Sequence, residues 1–230
     1  MRTWRNVARY HLVMPWAILL LPWAILACSF IVNLVIFSRV PVADASDSRT
    51  GGVASIYVMF LVIGISAVSR SLPFGLALGL SRRSYYAGTA ALGVALSAVD
   101  GLALAGLQAI ERSTDGWGVH MQFFRVAYIL AGPWYLTWLT SFVALAVLFV
   151  YGMWFGIVYR RWNLAGGVAF TIAQFAVVLV AVLLVSWADA WSAVGHFFIG
   201  LTAAGLTGLL AGLALLLLAG GHATIRRVTV

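Results

Sequence analysis

Six stretches of this chain, residues 15–37, 53–70, 87–110, 133–158, 164–187 and 197–219, are almost free of charge and long enough to cross a bilayer. A bilayer core asks for roughly 20 apolar residues of helix, with about 17–25 the usual range. Inside hydrocarbon the backbone N–H and C=O groups find no water, so a spanning segment satisfies them as a helix or within a closed barrel. These runs are too long and unbroken for barrel strands, which alternate over about ten residues. The sequence therefore predicts an all-α integral membrane protein with six transmembrane helices. At 63% hydrophobic residues and a mean hydropathy of +1.04, no stretch is left to fold separately in water. Residues 1–230 read as a single transmembrane domain.

Charge sets the direction of the spans. All 14 basic residues are arginine, which hints at a GC-rich bacterial genome. With the N-terminus in the cytoplasm, Arg2, Arg5, Arg9, Arg70, Arg82, Arg83, Arg160, Arg161, Arg226 and Arg227 all fall inside. Arg39, Arg49, Arg112 and Arg125 fall outside, together with Asp44, Asp47, Glu111, Asp115 and Asp189. Positive charge collects on the cytoplasmic side of membrane proteins, so both termini are expected in the cytoplasm and the protein in the bacterial cell membrane. The arginines come in ones and twos beside apolar runs, a pattern for lipid headgroups and not for nucleic acid.

Several local features refine this plan. In residues 1–14, Arg2, Arg5 and Arg9 share one helical face and Trp4, Val7, Ala8 and His11 the other, which predicts an amphipathic helix on the inner leaflet. A charged leader that only sets topology is the alternative. "ILAC" at 25–28 has the form of a lipobox, but "SFIVNLVIF" continues the apolar run past Cys28, so an uncleaved first helix is expected. Pro133 is expected to separate a short outer element, 126–132, from a long tilted helix. Gly200, Ala204, Gly208 and Gly212 repeat at steps of four on the sixth span, a small-residue ridge for close helix packing. Gly152 and Gly156 form a shorter one on the fourth.

The connection between the second and third spans is the unusual segment. "LPFGLALGLSRRSYY", residues 72–86, is too apolar for a solvated loop and too short and broken to cross the membrane. Pro73 suits the first turn of a new helix, which predicts a short helix at the inner surface. Its apolar residues Leu72, Phe74, Leu76 and Leu78 need cover, the usual mark of an interaction site. Plain positive-inside anchoring accounts for Arg82 and Arg83 but not for the apolar insertion.

The pattern apolar–Pro–Phe–small–Leu, then Gly–apolar–Ser–Arg–Arg–x–aromatic, between spans two and three of a six-span chain, resembles permease subunits of type-two ATP-binding-cassette exporters, in particular actinobacterial ones. The resemblance implies a coupling helix, Phe74 to Leu80, that docks on a cytoplasmic ABC ATPase, with Ser81, Arg82 and Arg83 as the hinge into span three. Pro73, Phe74, Leu76, Leu78, Gly79, Ser81, Arg82 and Arg83 would form the ATPase-coupling set. It implies a second permease copy or a homologous permease, and export of an amphiphilic or hydrophobic substrate. A P-loop uses a lysine to reach the phosphates, and this chain has none. ATP and Mg are therefore expected on the partner ATPase, with no cofactor, metal or catalytic residue here. The short connection "ADAWSAVGH" between spans five and six departs from larger relatives.

Polar residues within the spans complete the candidates. Ser97, Asp100, Gln108 and Glu111 fall on one face of span three. An ionised Asp at a helix centre costs about 2.5–3.5 kcal/mol on insertion scales, so Asp100 is expected to face protein or water. Either these residues line a substrate pathway, or Asp100 is a packing residue, protonated or paired with Arg112 or Arg125. Thr171 and Gln174 on span five offer the same two choices. An intramembrane enzyme is disfavoured: no G-x-S-G, H-E-x-x-H or second intramembrane Asp is present. His11 and His222 fall inside and His120 and His196 outside, unsuited to a haem pair at mid-membrane. A non-transport scaffold or sensor that anchors a cytoplasmic partner is the rival function.

Overall fold

A computed structural model of the protein describes residues 19–39, 50–125 and 133–225. The expected amphipathic helix 1–14, the outer element 126–132, His11, Asp44, Asp47, Arg49 and the terminal pair Arg226 and Arg227 lie outside the described residues. Every long element is helical: α1 (Leu21–Arg39), α2 (Ala54–Ser69), α3 (Ser71–Ala77), α4 (Arg82–Ser113), α5 (Trp134–Trp187), α6 (Trp191–Ile199) and α7 (Ala203–Ile225). Five of the helices, α3 being taken with α2, are long and apolar enough to cross a membrane. These are the proportions of a membrane-embedded protein.

The 54-residue α5 is two helices in one. Asn163 takes φ 55 and ψ −152, a conformation that side chains rarely adopt, and the chain turns back on itself there. Trp154 and Phe155 meet Phe170 edge to face, and the Tyr151 hydroxyl donates to Gln174 Oε1. Each pair is centred within about one residue of Asn163, so residues 134–162 and 164–187 form an antiparallel hairpin of two arms. The sequence expectation of separate segments at 133–158 and 164–187 is met with one residue in place of a loop.

The first arm is the axis of the molecule. In α2, Leu61 and Ile65 face Gly152 and Gly156, so α2 runs parallel to the arm. A Cβ at Gly156 would sit 2.8 Å from the Ile65 carbonyl oxygen; one at Gly64 would meet the Phe149 carbonyl, and one at Gly152 that of Leu61. Lipid is as apolar as leucine, so no hydrophobic drive joins two membrane helices, and close backbone approach supplies the attraction. Helix α4 runs opposite, with Gly93 against Phe149 and Gly101 against Phe142. Helix α7 runs with the arm: Thr207 bonds Thr140 and Gly220 approaches Trp154. Phe60, Tyr85, Phe149 and Met153 fill the core between these elements.

The second arm is different. Phe175, Val177, Leu179 and Leu183 are all exposed, and the arm is apolar on every side. An all-round apolar helix is a lipid-facing or buried one. Nor is the last expected span, 197–219, a single helix. Gly200 closes α6, its N–H bonding the His196 carbonyl at 2.9 Å, and Thr202 caps α7 by accepting from the Gly205 N–H at 3.1 Å. The Thr202 cap starts a new helix within the apolar run. Gly200 is therefore separated from Ala204, Gly208 and Gly212, and the last two face open space.

These contacts make a paired expectation. Gly152→Leu overpacks a backbone contact and should lower stability by about 1–3 kcal/mol, seen as a lower thermal midpoint in detergent. Gly212→Leu, entering open space, should leave the midpoint of the monomer unchanged. Asn163→Gly should raise it, and Asn163→Val lower it.

Candidate functional site

The inner-surface segment is built by three local signals. Pro73 has no N–H, so the Ser69 carbonyl loses its helical donor and α2 stops at Ser69. The Tyr85 hydroxyl, fully buried, donates to the Ala67 carbonyl at 2.6 Å and satisfies another group released by the break. Helix α3 then runs only from Ser71 to Ala77. Gly79 at φ +80 ends it: Leu80 N–H bonds the Gly75 carbonyl at 3.2 Å and Gly79 N–H that of Leu76 at 2.9 Å. This left-handed glycine termination corrects the expected helix Phe74 to Leu80, since Leu78, Gly79 and Leu80 form the turn. Ser81 restarts the chain as the cap of α4, its hydroxyl accepting from Ser84 N–H at 3.2 Å.

The segment has a seated face and an open face. Leu72 is buried and Gly75 lies against the Tyr85 ring. Phe74 and Leu78 are 57% and 61% exposed, and Leu76 is half-buried against the core. Arg82 and Arg83 occupy the first turn of α4. Cations near a helix N-terminus oppose its dipole, by about 0.3–1 kcal/mol each at the surface.

The polar residues of α4 are mostly turned inward. Ser97 is buried and its hydroxyl bonds the Gly93 carbonyl at 2.8 Å; Gln108 is buried as well. Asp100, half-buried, accepts from the indole of Trp23 at 3.0 Å. That bond fastens α1 to α4 and stands where a pairing with Arg112 or Arg125 was one of the alternatives.

Glu111 is the most constrained of the set. It is 1% exposed; Oε2 accepts from Trp117 Nε1 at 3.1 Å, Phe123 N–H at 3.0 Å and Phe124 N–H at 2.9 Å, and Oε1 from Arg125 N–H at 3.1 Å. Four donors hold the reversal 114–125 beneath a cluster of Phe30, Trp117, Phe123 and Phe124. In that reversal Asp115, Trp117 and His120 all have positive φ, strain of order 1–3 kcal/mol apiece that the carboxylate bonds help to hold.

Thr171 bonds its own helix at the Gly167 carbonyl, and Gln174 accepts from Tyr151. The second arm packs on the face of the first that carries Tyr151 and Phe155, while α4 packs on the face with Phe142 and Phe149. At about 100° per residue these faces are roughly opposite, so the two polar groups are not brought together. Trp23, Tyr85, Trp117 and Tyr151, which hold these polar groups, carry no sequence signal beyond an N–H or O–H that needs a partner when buried.

No family model, curated protein or solved structure matches the chain.

Removing Glu111 strands several buried donors at about 1–3 kcal/mol each, so Glu111→Ala should unfold the outer reversal, read as proteolysis between residues 114 and 125. Tyr85→Phe orphans one carbonyl and should cost about 1–3 kcal/mol, detectable as a lower thermal midpoint without loss of helix content by circular dichroism.

Proposed function

We propose that the chain is the membrane-spanning subunit of an ATP-driven exporter of the type-two ATP-binding-cassette class, moving an amphiphilic or hydrophobic substrate while a separate cytoplasmic ATPase binds ATP and Mg. In this reading the protein crosses the bacterial cell membrane six times, with the two arms of α5 counted separately and both termini in the cytoplasm. Two permease chains, identical or homologous, form the working pair.

The observation that carries the proposal is the seated, half-exposed helix α3, with Phe74 and Leu78 outward and Arg82 and Arg83 beside it. Inserted between two long apolar helices, it presents an apolar and cationic surface where an ATPase would engage. A push on α3 would travel by rigid contacts. Gly75 seats α3 on the Tyr85 ring, the Tyr85–Ala67 bond joins α4 to the end of α2, and both helices press on the first arm through glycines. ATPase closure would thus move α2 and α4 together and alternate access to the pathway. Arg70, Arg82, Arg83, Arg160 and Arg161 all fall near this end of the bundle, which supports the cytoplasmic assignment.

The test is co-purification of an ABC ATPase with the tagged permease. Phe74→Asp and Arg82→Glu should each abolish the association while the membrane level of the permease is maintained. Failure of any ATPase to co-purify with the wild type, or unchanged association and transport after substitution of Pro73, Phe74 and Arg82 together, would count against an exporter and favour a scaffold.

A further inference from the structure

We infer that Tyr86 is a latch: its hydroxyl holds the inner end of α7 to α4, and release of that bond lets α7 swing about the Thr140–Thr207 contact and open the bundle between α4 and α7. The inference uses the membrane reading of the protein and needs no ATPase. Tyr85 and Tyr86 are neighbours near the start of α4, about 100° apart on the helix, and they reach different partners. Tyr85 donates to the Ala67 carbonyl of α2 at 2.6 Å, and Tyr86 to the Leu218 carbonyl of α7 at 3.1 Å. Both residues are buried. Adjacent side chains thus hold the inner ends of α2 and α7, and α3 sits on the first of them through Gly75.

The two bonds differ in what they leave behind when broken. Ala67 lies where α2 stops, so its carbonyl is orphaned when the Tyr85 bond goes. Leu218 lies inside α7, where its carbonyl already accepts the His222 N–H along the helix. The phenol is a second donor to that oxygen, and its departure orphans nothing on α7. The Tyr86 hydroxyl itself lies near the arginine-bearing end of α4, where water or headgroup oxygens can take the place of Leu218. Tyr85 is therefore a fixed joint and Tyr86 a releasable one.

Helix α7 is arranged to move at that end. Eleven residues before Leu218, about 16 Å along the helix, the Thr207 hydroxyl meets that of Thr140 at 2.7 Å, and both residues are buried. Between these points Gly208 and Gly212 face open space, and Leu209, Leu213, Leu215 and Leu216 are exposed. The seat of the latch is tight: a Cβ at Gly221 would overlap the Tyr86 hydroxyl, so the phenol enters only beside a glycine. One residue earlier, a Cβ at Gly220 would sit 4.0 Å from Trp154 Cζ2. That carbon is two bonds from an indole Nε1 that is buried without a hydrogen-bond partner. A closed α7 therefore gains the Tyr86 bond but covers an unpaired donor, a cost that an aqueous opening at this end relieves. Opposed terms of similar size are what an element with two populated positions requires.

Double electron–electron resonance on the full chain in nanodiscs, in a Cys28→Ser background, tests this. Spin labels on Ala91→Cys and Ala219→Cys, both exposed positions, report the inner separation of α4 and α7. Labels on Val99→Cys and Ala204→Cys, also exposed, report the separation nearer Thr207. Tyr86→Phe, which keeps the ring, should raise the ratio of separated to closed populations at the inner pair about fivefold, the worth of one net hydrogen bond. Gly221→Ala should raise it further, and neither variant should change the pair near Thr207. Tyr85→Phe should lower the thermal midpoint and leave both distances as in the wild type. The measurement involves no ATPase, so its outcome is separate from that of the exporter test. An inner distance unchanged by both Tyr86→Phe and Gly221→Ala, separation at both pairs together, or the same shift from Tyr85→Phe would overturn the inference.

Discussion

Gly64 and Gly152 place the backbones of α2 and the first arm of α5 against each other, with Gly156 extending the contact by another turn. In a lipid solvent this is where helix association finds its attraction, because a leucine gains little by exchanging an acyl chain for another leucine. The remaining elements are arranged around that pair. Helix α4 approaches the opposite end of the same surface at Gly93 and Gly101, and α7 joins along the side through Thr140 and Thr207. What the arm does not reach, chiefly its own second half beyond Gln174, stays exposed on all sides.

Polar groups in this setting act as fasteners. Asp100 holds α1 to α4 through Trp23, Glu111 gathers the outer reversal with four bonds, and Tyr85 closes the carbonyl exposed where α2 stops. Each is a buried or half-buried group whose partner comes from a different element, as the cost of leaving a polar group unpaired in a low-dielectric interior demands. Glu111 therefore has a concrete role in holding the outer reversal. For Asp100 the bond to Trp23 uses one carboxylate oxygen and is compatible with either role.

Much of the arrangement was legible in the sequence because apolar length dominates it. The long helices, the stop at Pro73 and the close packing at Gly152 and Gly156 follow from residue type and spacing alone. The misplacements have identifiable causes. Gly79 ended α3 earlier than apolar continuity suggested, because a left-handed residue satisfies the carbonyls of Gly75 and Leu76. The chain breaks at Gly200 to Thr202 within what read as one span, and the Thr202 cap, accepting from the Gly205 N–H, starts a new helix there. The reversal at Asn163 was expected only as a short connection; nothing in "RRWNLAGG" announces a single-residue turn. The donors around Glu111 were invisible because three of the four are backbone N–H groups, brought together by tertiary folding.

The functional proposal stands on where the tip of the α3–α4 connection lies. The chain has one cysteine, Cys28, so a Cys28→Ser background leaves a single probe position after Leu78→Cys. Modification by a membrane-impermeant thiol reagent, compared between inside-out and right-side-out vesicles, measures the side on which that tip is accessible. Labelling from the cytoplasmic face alone, reduced when the ATPase is bound, is the result expected of a coupling surface. Labelling from the outer face, or none from either side, would contradict it.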